Sequence, residues 1–306
     1  MSAGQGDRSP DGATQILFAT DFSKSAEEAE AAAILLAEAF GARLHFVHVF
    51  DNSELPRWSA DYHSPAAVQT ALEESREQSR GRLEAATASA ARKVDCGEPF
   101  LGDGPVAAGI AERAAAVDAD LVVVGAQGHS RLSHLLIGSV AEATVRQAPC
   151  SVLTIRGSLT APGPVVVGTD FSESATGALR EACALADRLH ADLHIVHAEA
   201  LGWRGAPYEP SPANEFYQEL FREAQLQLTQ VAESCAIAGD VTTELSTLHP
   251  QSALNDVGER RGARLIVVGS KGLTGMKRFL LGSVAERTVR HAKISVLVAR
   301  DKSTDH

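Results

Sequence analysis

Two short glycine patterns hold the clearest chemistry in this sequence. Gly125-Ala-Gln-Gly128 is followed, after nine intervening residues, by Gly138-Ser139, and Gly269-Ser-Lys-Gly272 is followed at the same spacing by Gly282-Ser283. Such a pattern suits an anion. Glycine admits φ > 0 and lets backbone N–H groups approach a phosphate with no Cβ in the way. A helix opening at Gly-Ser presents unpaired N–H groups and the positive end of its dipole, and the serine hydroxyl can donate to a phosphate oxygen. A plain alternative exists for each part. Gly-x-x-Gly also makes ordinary turns, and Ser139-Val-Ala-Glu142 and Ser283-Val-Ala-Glu286 read as capping boxes that need no ligand. The full spacing, present twice and each time between an apolar run and a helix start, favours the cradle. The copies differ in charge. Lys271, Lys277 and Arg278 flank the second pattern, whereas the first has Gln127, His129, Arg131 and His134, with Ala126 where the second has Ser270. A triphosphate needs charge compensation, so the second copy is expected to bind it more tightly.

The elements that must position these loops are themselves repeated. Ile16–Ser23 reappears as Val165–Ser172, Ala42–Val49 as Ala191–Ala198, Leu121–Gly125 as Leu265–Gly269, and Ser151–Arg156 as Ser295–Arg300, in unbroken order. The chain therefore reads as two copies of one domain, residues 14–156 and 165–300, joined by a Gly/Ser/Pro linker over 157–164. A leader over 1–13 and a tail over 301–306 are expected to be disordered. Runs such as Leu121–Val124 lack polar alternation, as in strands covered on both faces. Between them lie helical patterns: one opening at Ser25-Ala-Glu-Glu28 and closing at Gly41, then about 66–92 and 106–117. In the second copy Ser174 matches the opening, His190 stands where Gly41 would be, and helices are expected at about 212–235 and 252–261. This alternation predicts doubly wound parallel sheets, whose ligands sit beyond the C-terminal strand ends.

On these motifs the chain resembles a tandem universal stress protein of the ATP-binding type. The glycine spacing after the fourth strand matches, as does an Asp-x-Ser closing the first strand, here Asp21-Phe-Ser23 and Asp170-Phe-Ser172. The resemblance implies two five-stranded parallel α/β domains, Rossmann-like and akin to adenine nucleotide alpha hydrolases. It implies ATP as ligand, with Mg as its companion ion. Carried over by position, Asp21 and Asp170 lie near the nucleoside or a phosphate-bound metal, and the backbones of Val49 and Ala198 edge the adenine. Gly125, Gly128, Gly138 and Ser139, with Gly269, Lys271, Gly272, Gly282 and Ser283, hold ribose and phosphates. The last strands, Ser151–Arg156 and Ser295–Arg300, are implied to pair the two halves as an internal pseudo-dimer, with room for a higher oligomer. The implied role is stress adaptation through a nucleotide-dependent protein partner.

The remaining features narrow the function. With 306 residues, 44% hydrophobic and 22% charged, the composition is that of a globular chain, and a formal charge of -11 argues against a nucleic-acid partner. No apolar run reaches the length of a membrane span, and no signal peptide opens the sequence, so a cytoplasmic location is expected. Cys96, Cys150, Cys183 and Cys235 form no Cys-x-x-Cys pair and are expected as reduced thiols. His45/His48 and His194/His197 repeat three apart, but on a strand such pairs face opposite ways, so no metal site is expected of them. Trp58 and Tyr62, with Trp203, Tyr208, Phe216 and Tyr217, follow the second strands as loop packing or as a lid. There is no P-loop pattern, and no residue stands out as catalytic, which leaves at most slow ATP hydrolysis. Two other readings remain: a nucleotide-free interaction module, its pocket filled by side chains such as His249 or Met276, and an adenylate-handling enzyme.

Overall fold

The structure is a computed structural model that describes residues 14–51, 65–128, 137–199, 215–272 and 281–300. The chain forms two compact units that meet in sequence at Cys150 and Ser151.

The first unit starts with strand β1 (Gln15–Ala19), every residue of which is buried. Helix α1 (Lys24–Phe40) follows, then β2 (Arg43–Phe50), α2 (Pro65–Ala90), β3 (Phe100–Asp103), α3 (Val106–Ala116), β4 (Leu121–Gly125) and α4 (Ser139–Gln147). Strand β1 pairs in parallel with β2 and β4, and β2 pairs in parallel with β3, so the order is β3-β2-β1-β4. The chain winds outward from β1 to β3 and then crosses back to β4. The order therefore reverses between β1 and β4, and the loops leaving these strands open on either side of that point.

The second unit contains β5 (Ser151–Ile155), β6 (Val165–Thr169), α5 (Glu173–Arg188), β7 (Leu193–Ala198), α6 (Glu215–Glu233), β8 (Val241–Ser246), α7 (Pro250–Arg260), β9 (Leu265–Gly269), α8 (Ser283–His291) and β10 (Ser295–Ala299). Strands β8-β7-β6-β9-β10 run in parallel, and β5 joins the far side of β10 antiparallel, Leu153 opposite Leu297. Here the reversal falls between β6 and β9. The strand assigned to the end of the first repeat thus lies in the second compact unit. Its caps are reciprocal: Arg300 N–H donates to Ser151 Oγ and Arg156 N–H to Ser295 Oγ, each at 3.0 Å.

The cores follow the sequence pattern. Phe18 and Phe46 are fully buried and meet edge to face at 5.4 Å, and α1 covers the sheet through Ala29, Ala33 and Leu36. Alanine on the inner helix face lets helix and sheet approach closely. Helix α1 ends at Gly41 in the left-handed region, φ 60°, with its N–H and that of Ala42 returning to the last turn. His190 takes the same role in the second unit at φ 49°, a conformation that costs a side chain more than it costs glycine.

The stretch 157–164, read as a linker, is partly packed: Leu159 is 1% exposed, and the Gly163 carbonyl accepts from Arg264 Nε at 2.9 Å. One sequence expectation changes here: the first helices start earlier than Ser25 and Ser174. Their caps are Ser23 and Ser172, whose Oγ atoms accept from Ala26 N–H and Ala175 N–H at 3.2 Å. The leader, the tail, the six loop aromatics, His129, Arg131, His134, Met276, Lys277 and Arg278 lie outside the described residues or their described side chains.

Candidate functional site

The site grows from the ends of β1 and β6. Thr20 Oγ1 accepts from Phe22 N–H at 2.9 Å, and Asp21 Oδ1 accepts from Ser23 N–H at 2.9 Å. These two side chains hold Phe22 at φ 61°, in the left-handed region, and so turn the chain from strand into helix. The second unit reproduces the knot: Thr169 to Phe171, Asp170 to Ser172, both at 3.1 Å, with Phe171 at φ 61°. An imidazole braces each knot. His48 Nδ1 bonds the Thr20 carbonyl at 2.7 Å and its ring meets Phe22; His197 Nδ1 bonds the Thr169 carbonyl at 2.8 Å and its ring meets Phe171.

The glycine loops face these knots across the reversal. Serines Ser25 and Ser174, the second residues of the first helices, accept from Gln127 N–H and Lys271 N–H at 3.3 Å. A Cβ on Gly125 would lie 2.9 Å from the Ser25 carbonyl carbon and oxygen, and one on Gly269 would lie 3.0 Å from the Ser174 oxygen. Among the described residues, a Cβ on Gly128 or Gly272 would meet Asp21 Oδ2 or Asp170 Oδ2, at 3.0 and 2.9 Å. Each loop is closed by one bond, Gly138 N–H to the Ala126 carbonyl at 2.7 Å and Gly282 N–H to the Ser270 carbonyl at 2.8 Å.

The glycines thus serve in a way the sequence did not suggest. None of Gly125, Gly128, Gly138, Gly269, Gly272 or Gly282 has a positive φ. The first of each set lets a strand end abut a helix, and the second lets the loop lie against a carboxylate. The capping-box reading of the serines also fails. Gly138 and Gly282 are the N-caps, while Ser139 and Ser283 are the first helical residues and are exposed. Glu142 and Glu286 instead pair with Arg146 and Arg290 one turn on, at 3.0 Å. Ser23→Ala and Ser172→Ala are accordingly expected to cost about 1 kcal/mol each, and Ser139→Ala and Ser283→Ala only a few tenths. Urea denaturation of the four variants checks this.

Val49 and Ala198 lie inside their strands rather than just after them. Arg43 N–H donates to Thr14 O and Thr20 N–H to Val47 O, so by alternation Val49 also turns its backbone polar groups toward β1. The β1 ladder ends with Ala19 opposite Val47, so those groups open past the end of β1. In the second unit the ladder runs one pair further, Thr169 opposite His197, so the Ala198 N–H is taken up by the Thr169 carbonyl and only the Ala198 carbonyl opens past β6. The structure brings Asp21, Val49, Gly125, Gly128, Gly138 and Ser139 around one reversal, and Asp170, Ala198, Gly269, Lys271, Gly272, Gly282 and Ser283 around the other.

Thr20, Thr169, His48, His197, Ser25 and Ser174 are the positioning residues that sequence reasoning missed, although each recurs in both copies. The histidine pairs part company, as strand geometry requires. His45 bonds Gln15 at 2.8 Å, and His194 bonds Thr242 at 2.7 Å and Glu244 at 3.3 Å, away from the sites.

Burial pushes the His48 imidazole below its ordinary 6.5, outweighing the Thr20 bond and the Asp21 charge; burial and Arg261 push His194 the same way. A histidine held neutral by the fold contributes stability that is present above 6.5 and is lost as pH falls below it. Unfolding midpoints are therefore expected to drop on acidification through 6.5. His48→Gln, which keeps a donor without a titrating ring, should flatten part of that drop.

A parallel α/β sheet with the chain reversal flanked by an Asp-x-Ser turn and a glycine loop defines a Rossmann-like domain, here present twice. The universal stress protein family model matches residues 13–156 and again 163–300, and the chain belongs to that family as a tandem member. Universal stress protein Rv2005c of Mycobacterium tuberculosis is 32% identical over 194 residues, 60% of this chain and 62% of that protein's length. The match thus spans under two thirds of that relative. Universal stress protein MJ0531 of Methanocaldococcus jannaschii is 31% identical over 139 residues, 44% of this chain and 81% of its own. Among solved structures, a universal stress protein from Archaeoglobus fulgidus aligns with 94% of this chain and 98% of its own, at TM-score 0.64 and 18% identity, a likeness of fold. Among the described residues no helix is long and apolar enough to cross a membrane.

Proposed function

We propose that each unit binds ATP at its reversal point and that the protein acts in stress adaptation by changing its interactions with the nucleotide state. The observation that carries this reading is the cradle whose floor a Cβ on Gly128 or Gly272 would fill. An adenine edge pairs with backbone polar groups, of which Val49 offers a donor and an acceptor past the end of β1 and Ala198 its carbonyl past β6. The phosphates would lie along the glycine loops at the N-termini of α4 and α8, where Ser139 and Ser283 point outward and the helix dipoles favour anions. Asp21 and Asp170 sit against those loops. A carboxylate there accepts from ribose hydroxyls or shares a magnesium ion carried by the phosphates, which also relieves its repulsion of them. Nothing in this arrangement activates a water, so the reading is binding with slow turnover at most. Lys271 gives the second unit the stronger charge match.

Denaturing the purified protein and chromatographing the released supernatant on an anion exchanger should reveal bound adenine nucleotide. Calorimetric titration of stripped protein with Mg-ATP should give two sites per chain, the tighter one lost in Gly272→Val and the weaker in Gly128→Val. No released nucleotide together with no heat on titration would favour a nucleotide-free interaction module.

A further inference from the structure

The two units differ in a pair of thiols that has no part in the candidate sites. Cys183 lies on α5 and Cys235 just past the end of α6, and the Cys183 thiol donates to Cys235 Sγ at 2.8 Å. Both are half-buried free thiols. The first repeat has no sulfur at either place. Ser23 and Ser172 cap equivalent helices, which aligns Cys183 with Ile34; Asp95 and Asp240 offer their carbonyls to Leu44 and Leu193, which aligns Cys235 with Ala90. The first repeat thus has Ile34 and Ala90 at these two places, and the second has cysteine at both.

We propose that Cys183 and Cys235 form an oxidisable dithiol that closes to an intramolecular disulfide when the protein meets hydrogen peroxide. The two sulfurs already touch, so closure needs side-chain rotation rather than movement of the helices. The bond from Cys183 lowers the pKa of Cys235, against the effect of burial, and Ser234 acts in the same direction; donating that bond, together with burial, raises Cys183. Cys235 is thus the attacking thiolate. Its sulfur attacks one peroxide oxygen, the O–O bond breaks, and hydroxide leaves and is protonated to water, giving a sulfenic acid. Cys183, losing its proton, attacks the Cys235 sulfur; the S–S bond forms, the S–O bond breaks, and a second water leaves. Two thiols and one peroxide become one disulfide and two waters. The bond ties α5, which follows the Asp170 turn and is capped by Ser172, to the end of α6. Cys150, 1% exposed, is shielded from this chemistry, and burial and the neighbouring Asp95 raise the Cys96 thiol and make it slower.

The test uses the reduced full-length chain treated with hydrogen peroxide, alkylated with N-ethylmaleimide and analysed as the intact protein and as a non-reducing digest. The expected result is loss of two alkylatable thiols and a linked peptide pair containing Cys183 and Cys235, formed at least tenfold faster than modification of Cys96 and reversed by dithiothreitol. The oxidised form should unfold at a higher temperature. In Cys183→Ser the link disappears and dimedone labels Cys235. Unfolding wild-type protein in urea before oxidation should abolish the preference for this pair, a control that needs no variant. Four alkylatable thiols after treatment, a link through Cys96 or Cys150, or an undiminished preference for the Cys183–Cys235 pair in urea would overturn the proposal.

Discussion

Gly125→Ala is expected to destabilise the first unit by about 1–2 kcal/mol, although the backbone there is open to any residue. The new Cβ would lie 2.9 Å from backbone carbon and oxygen of Ser25, atoms that cannot rotate away, so β4 and the first turn of α1 must separate. Overpacking of this kind costs about 1–3 kcal/mol, offset by about 0.4–1 kcal/mol from the stiffer unfolded chain. Gly269→Ala meets slightly looser contacts, 3.0 Å to the Ser174 oxygen and 3.2 Å to its carbonyl carbon, and should cost less. Urea midpoints at unchanged m-value report both. If the two variants are as stable as the parent, the first glycine of each pattern is not there to let the strand abut the helix.

Gly272→Val is expected to weaken Mg-ATP binding by the second unit at least tenfold, about 1.4 kcal/mol, while hardly moving its unfolding midpoint. Among the described residues its Cβ meets Asp170 Oδ2, the far end of a side chain, which can shift while Oδ1 keeps its bond from Ser172 N–H, so the fold accommodates the change. The ligand cannot, because the branched side chain stands where the phosphates would approach the loop. Gly128→Val should act alike on the first unit. Lys271→Ala, by contrast, should weaken binding only severalfold, and less in high salt, since it removes a screened charge and not the cradle. Stability and binding are thus expected to separate within one four-residue motif, the first glycine bearing on the fold and the last on the proposed ligand. A Gly272→Val protein that titrates with ATP like its parent would mean the nucleotide does not lie on this loop.

Much of this protein is legible in its sequence. The repeated blocks specify two α/β units, because buried parallel strands must be apolar on both faces and helical periodicity fills the stretches between them. The repeated Thr-Asp-Phe-Ser and glycine patterns single out the strand ends that bear the site. Register and partnership were not legible, because they depend on which atoms meet across the fold. Ser25 and Ser139 both read as helix caps, since the capping signature is local and several serines satisfy it. Only the tertiary structure shows Ser23 capping and Ser25 bonding the opposite loop. It also places β5 in the second compact unit, braces each Asp-x-Ser turn with a histidine from the neighbouring strand, and sets Cys183 against Cys235 across 52 residues of chain. The sequence by itself determined the elements, their order and the site motifs, because those follow from local periodicity and backbone preference. The tertiary structure alone decided which glycine is structural, which serine caps and which thiols meet, because close packing, not spacing along the chain, fixes those contacts.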